Sequence, residues 1–352
     1  MSLARAIGRK LRDDTLHALL APYRAYDRGR TAIWQVRTGR RSVLDLAKTL
    51  FATCGAAALV VVLMFPIYWI FTASLSQGAS LIQSDGVFAD PATYNLDAYR
   101  WLLFESDFFF VDGEWGYPAI AYGTGGLIPI GIQFVGGEPG VLFNSLTVVI
   151  VTIITAMAMI IPGAYALSRR AFTGRTKLLY FYILFTQVGS GLSIATLIAL
   201  LALFTNFGLT NNLIVLGIFY GAGAIPFNTW LLKTYMDNIP VSYEEAAIVD
   251  GASRFDVMRE VILPLCKPGL AAITIFVWLA GWNEFIIAQT LLRPENYTLS
   301  VEVYSLATSG RFETPWTEFA AFAILFALPV ALIYFFAQRY VESGLSFGGM
   351  EG

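Results

Sequence analysis

The chain has 352 residues, of which 57% are hydrophobic and 14% charged, with a formal net charge of −2 and a mean hydropathy of +0.63. That much apolar surface cannot be hidden in one water-soluble core, so the composition excludes a soluble globular protein and points to an integral membrane protein. With one histidine and almost no carboxylates in the apolar stretches, the clustered ligands of a membrane-embedded metal or acid–base enzyme are missing.

The first 48 residues carry eleven Lys and Arg: Arg5, Arg9, Lys10, Arg12, Arg24, Arg28, Arg30, Arg37, Arg40, Arg41 and Lys48. Interleaved with Leu, Tyr and Trp34, they suit an amphipathic extension on an anionic inner leaflet. Positive-inside bias explains the charge, so nucleic acid is not an expected partner. His17, alone in this tail, has no company for ligation or catalysis.

A bilayer core of about 30 Å requires roughly 20 apolar residues per helix. Six stretches qualify, at about 50–73, 141–167, 178–205, 212–232, 269–292 and 317–337. Pro66, Pro162, Pro226 and Pro329 lie inside four of them, as packed membrane helices tolerate. The first begins too far in, and runs too long, to be a cleaved signal peptide. Cys54 and Cys266 form neither a metal spacing nor a disulfide framework and read as small core residues. Residues 74–140 hold one basic residue, Arg100, against eight acids, whereas Arg169, Arg170, Arg175 and Lys177 crowd the next connection. The bias places 74–140 outside and both termini in the cytoplasm. The Gly-rich, aromatic portion from Gly113 to Gly140 looks inserted, as a docking subdomain or a cap.

Between the fourth and fifth stretches, residues 233–268 form a polar cassette. Ser242 with Glu245 three residues on is a capping-box pattern after Pro240, and Glu244 and Glu245 suit the positive end of a helix dipole. Gly251 stops that helix. Ser253 with Asp256 starts a second one, on which Phe255, Met258, Val261 and Ile262 share a side, before Pro264 and Pro268 return the chain to the membrane. The pattern predicts a helix, a glycine turn and a second helix, with Ala246, Ala247 and Ile248 on an exposed shoulder. By itself it fits either a docking element or an amphipathic hairpin on the membrane surface.

The string Glu245-Ala246-Ala247, three residues, Gly251, nine residues, Val261-Ile262-Leu263-Pro264 resembles the EAA motif of ABC importer permeases, with Val261 where that family usually has Ile. Asp250 and Ala252-Ser253 fit the version found in sugar importers. Trp282-Asn283-Glu284-Phe285 resembles the WNEF of carbohydrate-importer permeases, and Gly344-Leu345-Ser346-Phe347-Gly348-Gly349 their glycine-rich tail. The resemblance, which runs from about residue 50 to the C-terminus, is to the maltose- and glycerol-phosphate-type subunits.

It implies an all-α, six-span type I importer permease with domains at 1–48, 49–340 and 341–352. Its implied partners are a second, related permease, two cytoplasmic ABC ATPases, an extracellular or periplasmic substrate-binding protein and a sugar. The chain has no GxxxxGK[ST] phosphate loop, so ATP-Mg would be bound by the ATPases and this subunit would be non-catalytic, binding no cofactor itself. Coupling to the ATPase would fall to Glu244, Glu245, Ala246, Ala247, Asp250, Gly251, Ala252, Phe255, Leu263 and Pro264.

Ionisable and amide groups at membrane depth are candidates for the translocation path. Asn283, Glu284 and Asn228 lead, followed by Asn144, Gln187 and Asn206, with structural hydrogen bonding as the alternative for each. In the loop at 293–316, Tyr297, Tyr304 and Arg311 are candidate contacts for the binding protein, since aromatics and Arg anchor interfaces; membrane-interface anchoring is the alternative for the tyrosines. The glycine tail would reach toward the ATPase or fray as a terminus. The rival function is an ion- or proton-coupled secondary transporter using Glu284, which requires no ATPase partner and predicts an internal repeat that is not evident.

Overall fold

The computed structural model describes residues 42–76, 94–111, 117–122, 130–135, 139–188, 193–308 and 315–346. The chain divides into two units, Met1–Trp69 and Ile70–Gly352. Helix α1 (Val43–Leu75) runs across that boundary and is the only described element of the first unit. Cys54, exposed on α1, is not the core residue its chemistry suggested, since no second layer of its unit stands among the described residues; Cys266 is buried.

Among the described residues the second unit is helical with one exception. Its elements are α2 (Asp97–Phe104), strands β1 (Tyr117–Tyr122) and β2 (Ile130–Val135), α3 (Val141–Arg169), α4 (Arg175–Val188), α5 (Ile194–Asn206) and α6 (Leu213–Asp237). Helices α7 (Ser242–Val249), α8 (Arg254–Leu265), α9 (Lys267–Trp282), α10 (Ile286–Leu291), α11 (Leu299–Thr308) and α12 (Trp316–Ser346) follow. The exception is the antiparallel pair β1–β2, paired from Tyr117↔Val135 to Tyr122↔Ile130 within the segment that looked inserted. An all-helical expectation misses it because Gly and Pro punctuation hides two six-residue strands.

Among the described residues four helices are long and apolar enough to cross a bilayer: α1, α3, α6 and α12, over Ala47–Leu75, Val141–Arg169, Leu213–Asp237 and Trp316–Phe335. Two of the six expected spans are broken. The stretch 178–205 is shared by α4 and α5, the second opened by Ser193, whose Oγ accepts from Thr196 N at 3.2 Å. The stretch 269–292 is interrupted between Trp282 and Ile286. Helix α8 meets α9 at a bend of 82°, and the two together could make a fifth, broken span. Helix α12 continues to Ser346, so the start of the expected 341–352 tail is helical; Phe347, Gly348 and Gly349 lie outside the described residues.

Close helix approach organises the core. A Cβ at Gly217 of α6 would lie 2.7 Å from Val151 Cβ and 2.8 Å from Val148 O, and one at Gly221 would lie 2.8 Å from Thr155 Cβ. Two glycines four apart thus let α6 lie directly on α3, the small-xxx-small solution to packing where lipid supplies no hydrophobic drive. Thr152 of α3 donates to Gly217 O at 3.1 Å across the contact. Toward one end, Ile160, Ala164, Leu232, Met236, Val257, Ile262 and Ile273 form one buried cluster that joins α3, α6, α8 and α9. In a neighbouring cluster Trp282 is buried, stacks on Trp278 and Phe326, and donates from Nε1 to Phe326 O at 3.1 Å.

Candidate functional site

The polar cassette folds into two helices around one turn. Helix α7 starts without the Ser242–Glu245 capping box expected from the sequence: Ser242 is already inside the helix, after Val241, and no side chain caps it. The reason is local. Tyr243 N and Glu244 N donate to Pro240 O and Val241 O at 3.3 and 2.9 Å, so a tight turn satisfies donors that a cap would serve. The two adjacent acids separate: Glu244 is 7% exposed, whereas Glu245 is on the surface. Ala246, Ile248 and Val249 are exposed, and Ala247 is half-buried against the core cluster.

Gly251 ends α7 with φ of +91°, a conformation that L side chains rarely adopt. Gly251 N donates to Ile248 O and Ala252 N to Ala247 O, both at 3.0 Å, the reciprocal pair that closes a helix end in a Schellman turn. A Cβ added to Gly251 meets nothing within 4 Å. The glycine is required by the backbone angle and not by space.

The second cap forms as predicted. Ser253 Oγ accepts from Asp256 N at 3.3 Å, and Asp256 Oδ2 accepts from Ser253 N at 3.0 Å. Ser253 Oγ also donates to Asp256 Oδ2, and that bond first, then the one from Ser253 N, holds the Asp256 carboxyl below its ordinary range, with Arg259 assisting. Within α8, Val257–Ile262 is wound as a π-turn. The wider winding changes the buried side: Val257 and Ile262 are buried and Met258 and Val261 partly so, whereas Phe255 is 63% exposed. The regular 3.6-residue spacing put Phe255 with the buried set and omitted Val257, because a π-turn advances fewer degrees per residue. Leu263 is half-buried, and Asp250 and Pro264 are exposed.

Under this hairpin lies a clamp that sequence reasoning missed. Arg169, the last residue of α3, forms an ion pair from Nε to Glu244 Oε1. Its Nη2 donates to Met236 O and to Ile239 O, both at 2.8 Å. Beside it Ser168 Oγ donates to Asp237 Oδ1 at 2.7 Å, and Asp237 also pairs with Lys233. In the sequence Arg169 contributes only to charge bias, and nothing in the linear spacing links it to Glu244.

The candidates for the path lie apart from this hairpin in sequence, and Glu284, Asn228 and Asn144 have structural partners. Glu284 sits in the break between α9 and α10, where its Oε1 and Oε2 accept from Ile287 N at 2.9 Å and Ala288 N at 3.1 Å. Tyr220 of α6 donates to the same carboxylate, and Ser300 Oγ donates to Glu284 O at 2.6 Å. The carboxylate thus restarts the helix that it interrupts. Asn283 is exposed. Asn228 is buried and donates to Ala224 O of its own helix at 2.8 Å, beside Pro226. Asn144 donates to Tyr297 O at 3.1 Å, and Asn206 is exposed. The side chain of Gln187 lies outside the described residues.

Of the three candidate contacts in the last loop, Tyr297 is half-buried and Tyr304 exposed, its ring 4.7 Å from that of Phe285; Arg311 lies outside the described residues. Asn211, unremarked in the sequence, fixes the near end of this loop. At φ of +55° it donates from N to Leu291 O and from Nδ2 to Glu295, and accepts at Oδ1 from Arg293 N.

Residues 33–347 match the family described as binding-protein-dependent transport system inner membrane component. The chain is 31% identical over 306 residues to the galactooligosaccharides transport system permease protein GanQ of Bacillus subtilis, covering 87% of this chain and 96% of that one. It is 36% identical over 217 residues to the maltose/maltodextrin transport system permease protein MalG of Salmonella typhimurium, covering 60% and 72%. Its fold is similar to a chain of a bacterial ABC transporter involved in the import of the acidic polysaccharide alginate. There the TM-score is 0.67 at 23% identity, over 86% of this chain and 99% of that one.

Proposed function

Because the chain belongs to the family of binding-protein-dependent transport system inner membrane components, a family of non-catalytic transport subunits, we propose that it is one permease of an ATP-driven sugar importer. Paired with a related permease, it lines half of the path for a sugar released by an extracellular binding protein. Two cytoplasmic ABC ATPases bind ATP-Mg and supply the energy. Both termini and the α7–α8 hairpin face the cytoplasm, as the Lys and Arg distribution requires.

The observation that carries the reading is the hairpin. The string resembling the EAA motif stands on two helices joined at Gly251, with Glu245, Ala246, Ile248, Val249 and Phe255 exposed and the opposite side seated on the core of α3, α6 and α9. A surface of small and apolar groups next to the exposed Glu245 carboxylate suits insertion into a cleft of a partner. The buried side suits transmission of that partner's movement to the spans, the two-state element that alternating access needs. The partners of Glu284 support this reading over proton-coupled transport: a carboxylate that receives two backbone N–H groups and a tyrosine hydroxyl serves as a helix start.

The test is purification of the tagged chain from its native membrane in mild detergent, with identification of partners and an ATPase assay. Copurification of a P-loop ATPase and a second permease, with hydrolysis stimulated by a binding protein and one sugar, is the expected result. A monomer or homodimer without ATPase, active in proteoliposomes on an ion gradient, would overturn it.

A further inference from the structure

We propose that the buried pair Arg169–Glu244 is a strut that makes the first helix of the hairpin and the ends of α3 and α6 move as one body, so that Glu244 faces inward to the spans while Glu245 faces the partner. The inference rests on the docking role proposed above for the hairpin, and it divides two adjacent acids that the sequence treats alike.

Three observations carry it. Successive residues on a helix point about 100° apart, and here that rotation takes Glu245 to the surface and Glu244 into the core. The Glu244 carboxylate meets Arg169, whose side chain is itself about nine-tenths buried. The same guanidinium then holds Met236 O in the last turn of α6 and Ile239 O in the connector. One planar fork therefore touches α3, α6, the connector and α7. Planarity matters because the two Nη2 hydrogen bonds fix the plane in which the guanidinium charge meets the Glu244 carboxylate, an orientation that a Lys at this position could not impose.

The apolar contacts below reinforce this. Tyr165 and Ala164 on α3, Leu232 and Met236 on α6, and Val257, Ile262 and Cys266 beyond the turn belong to one buried cluster. Apolar side chains resist separation but permit sliding and repacking, whereas a buried ion pair with fixed geometry selects one register. In a lever that must carry displacement from a partner to the spans, sliding is the loss to be prevented. The strut places that constraint at the shoulder of the lever, and Gly251 at its far end stays open to the partner. Arg169 and Glu244 are thus positioning residues and touch no substrate.

The test uses the complex purified from its native membrane, with exposed Cys54 replaced by Ser and spin labels at Tyr243→Cys on the first helix of the hairpin and Phe172→Cys just beyond α3, both exposed positions. Distances are recorded without nucleotide and after trapping with ATP, Mg and vanadate. The intact strut predicts one unchanged distance in both states. R169M/E244M, an apolar replacement of similar volume, is expected to keep the thermal midpoint but to gain a second distance population on trapping. A single unchanged distance in R169M/E244M would overturn the strut, as would a second population already present without nucleotide, which would mark a packing role only. Should the double Met complex fail to assemble, the single variant E244Q keeps shape and removes the charge. For E244Q too, a second population on trapping alone supports the strut, and either of the other two patterns overturns it. Copurification of the ATPase with Glu245→Lys tests the docking role separately: retention of the ATPase there defeats the docking role, while a lone failure of the strut leaves Glu245→Lys unable to hold it.

Discussion

Replacing Gly251 isolates a backbone effect, because the position has open space but an unusual angle. A Cβ there meets nothing within 4 Å, while φ is +91°. An L side chain in the left-handed region costs roughly 1–2 kcal/mol from its own backbone, so Gly251→Ala should destabilise the turn by about that amount with no steric contribution. Val, branched at Cβ, should cost more, and Asn, which tolerates positive φ, less. About 1–2 kcal/mol corresponds to roughly a 5- to 30-fold change in an opening equilibrium. Amide exchange of Gly251 and Ala252, whose N–H groups close the turn on Ile248 O and Ala247 O, reads that equilibrium directly. Protection should fall in the order Gly, Asn, Ala, Val. Unchanged protection in Gly251→Ala would refute the claim that the backbone angle selects glycine, and a loss as large for Asn as for Val would point to a steric cause instead. In the assembled importer, Val should also abolish the response of hydrolysis to the loaded binding protein.

Two further outcomes are expected. In helix α6, Gly217→Ala should lower the thermal midpoint at a cost of about 1–3 kcal/mol, since its Cβ lands against Val151 and Val148 O. Gly223→Ala on the same helix, where a Cβ meets nothing within 4 Å, should raise it through helix propensity by up to about 1 kcal/mol; equal effects at the two sites would contradict close packing of α3 on α6. The Asp256 carboxyl is held below its ordinary range by Ser253, so the folded state favours the ionised form. Its contribution is complete above the unfolded carboxylate range and disappears as pH falls through the lowered folded value. Exchange protection in the first turn of α8 should follow that acid titration, and Asp256→Ala should remove the dependence.

The spans were legible in part, and the reason lies in what apolar runs encode. A run of twenty apolar residues states that a segment avoids water, and it located α1, α3, α6 and α12 well. It does not state continuity: Glu284 breaks one run by capping a new helix, which depends on the local placement of Ile287 N and Ala288 N. Gly217 and Gly221, four apart, are a signal for close helix approach that the proline positions overshadow, since glycine is common in membrane helices and only the facing helix shows which pair is used. Ser253–Asp256 was read correctly as a cap, whereas the same pattern at Ser242–Glu245 was not used, since the turn after Pro240 had already satisfied the donors.

What the sequence by itself determined is the material: a membrane chain, its basic side, and a cassette whose glycine and capping residues specify a helix–turn–helix through local backbone preferences. These are short-range effects, complete within a few residues, so linear order suffices to read them. Only the tertiary structure decided which of two neighbouring glutamates turns inward, that Arg169 on a distant helix receives it, and that Asn211 fastens the loop around Arg293. Those pairings depend on how distant helices lie against one another, and a polar group acquires its role from whichever partner that packing leaves within hydrogen-bond reach.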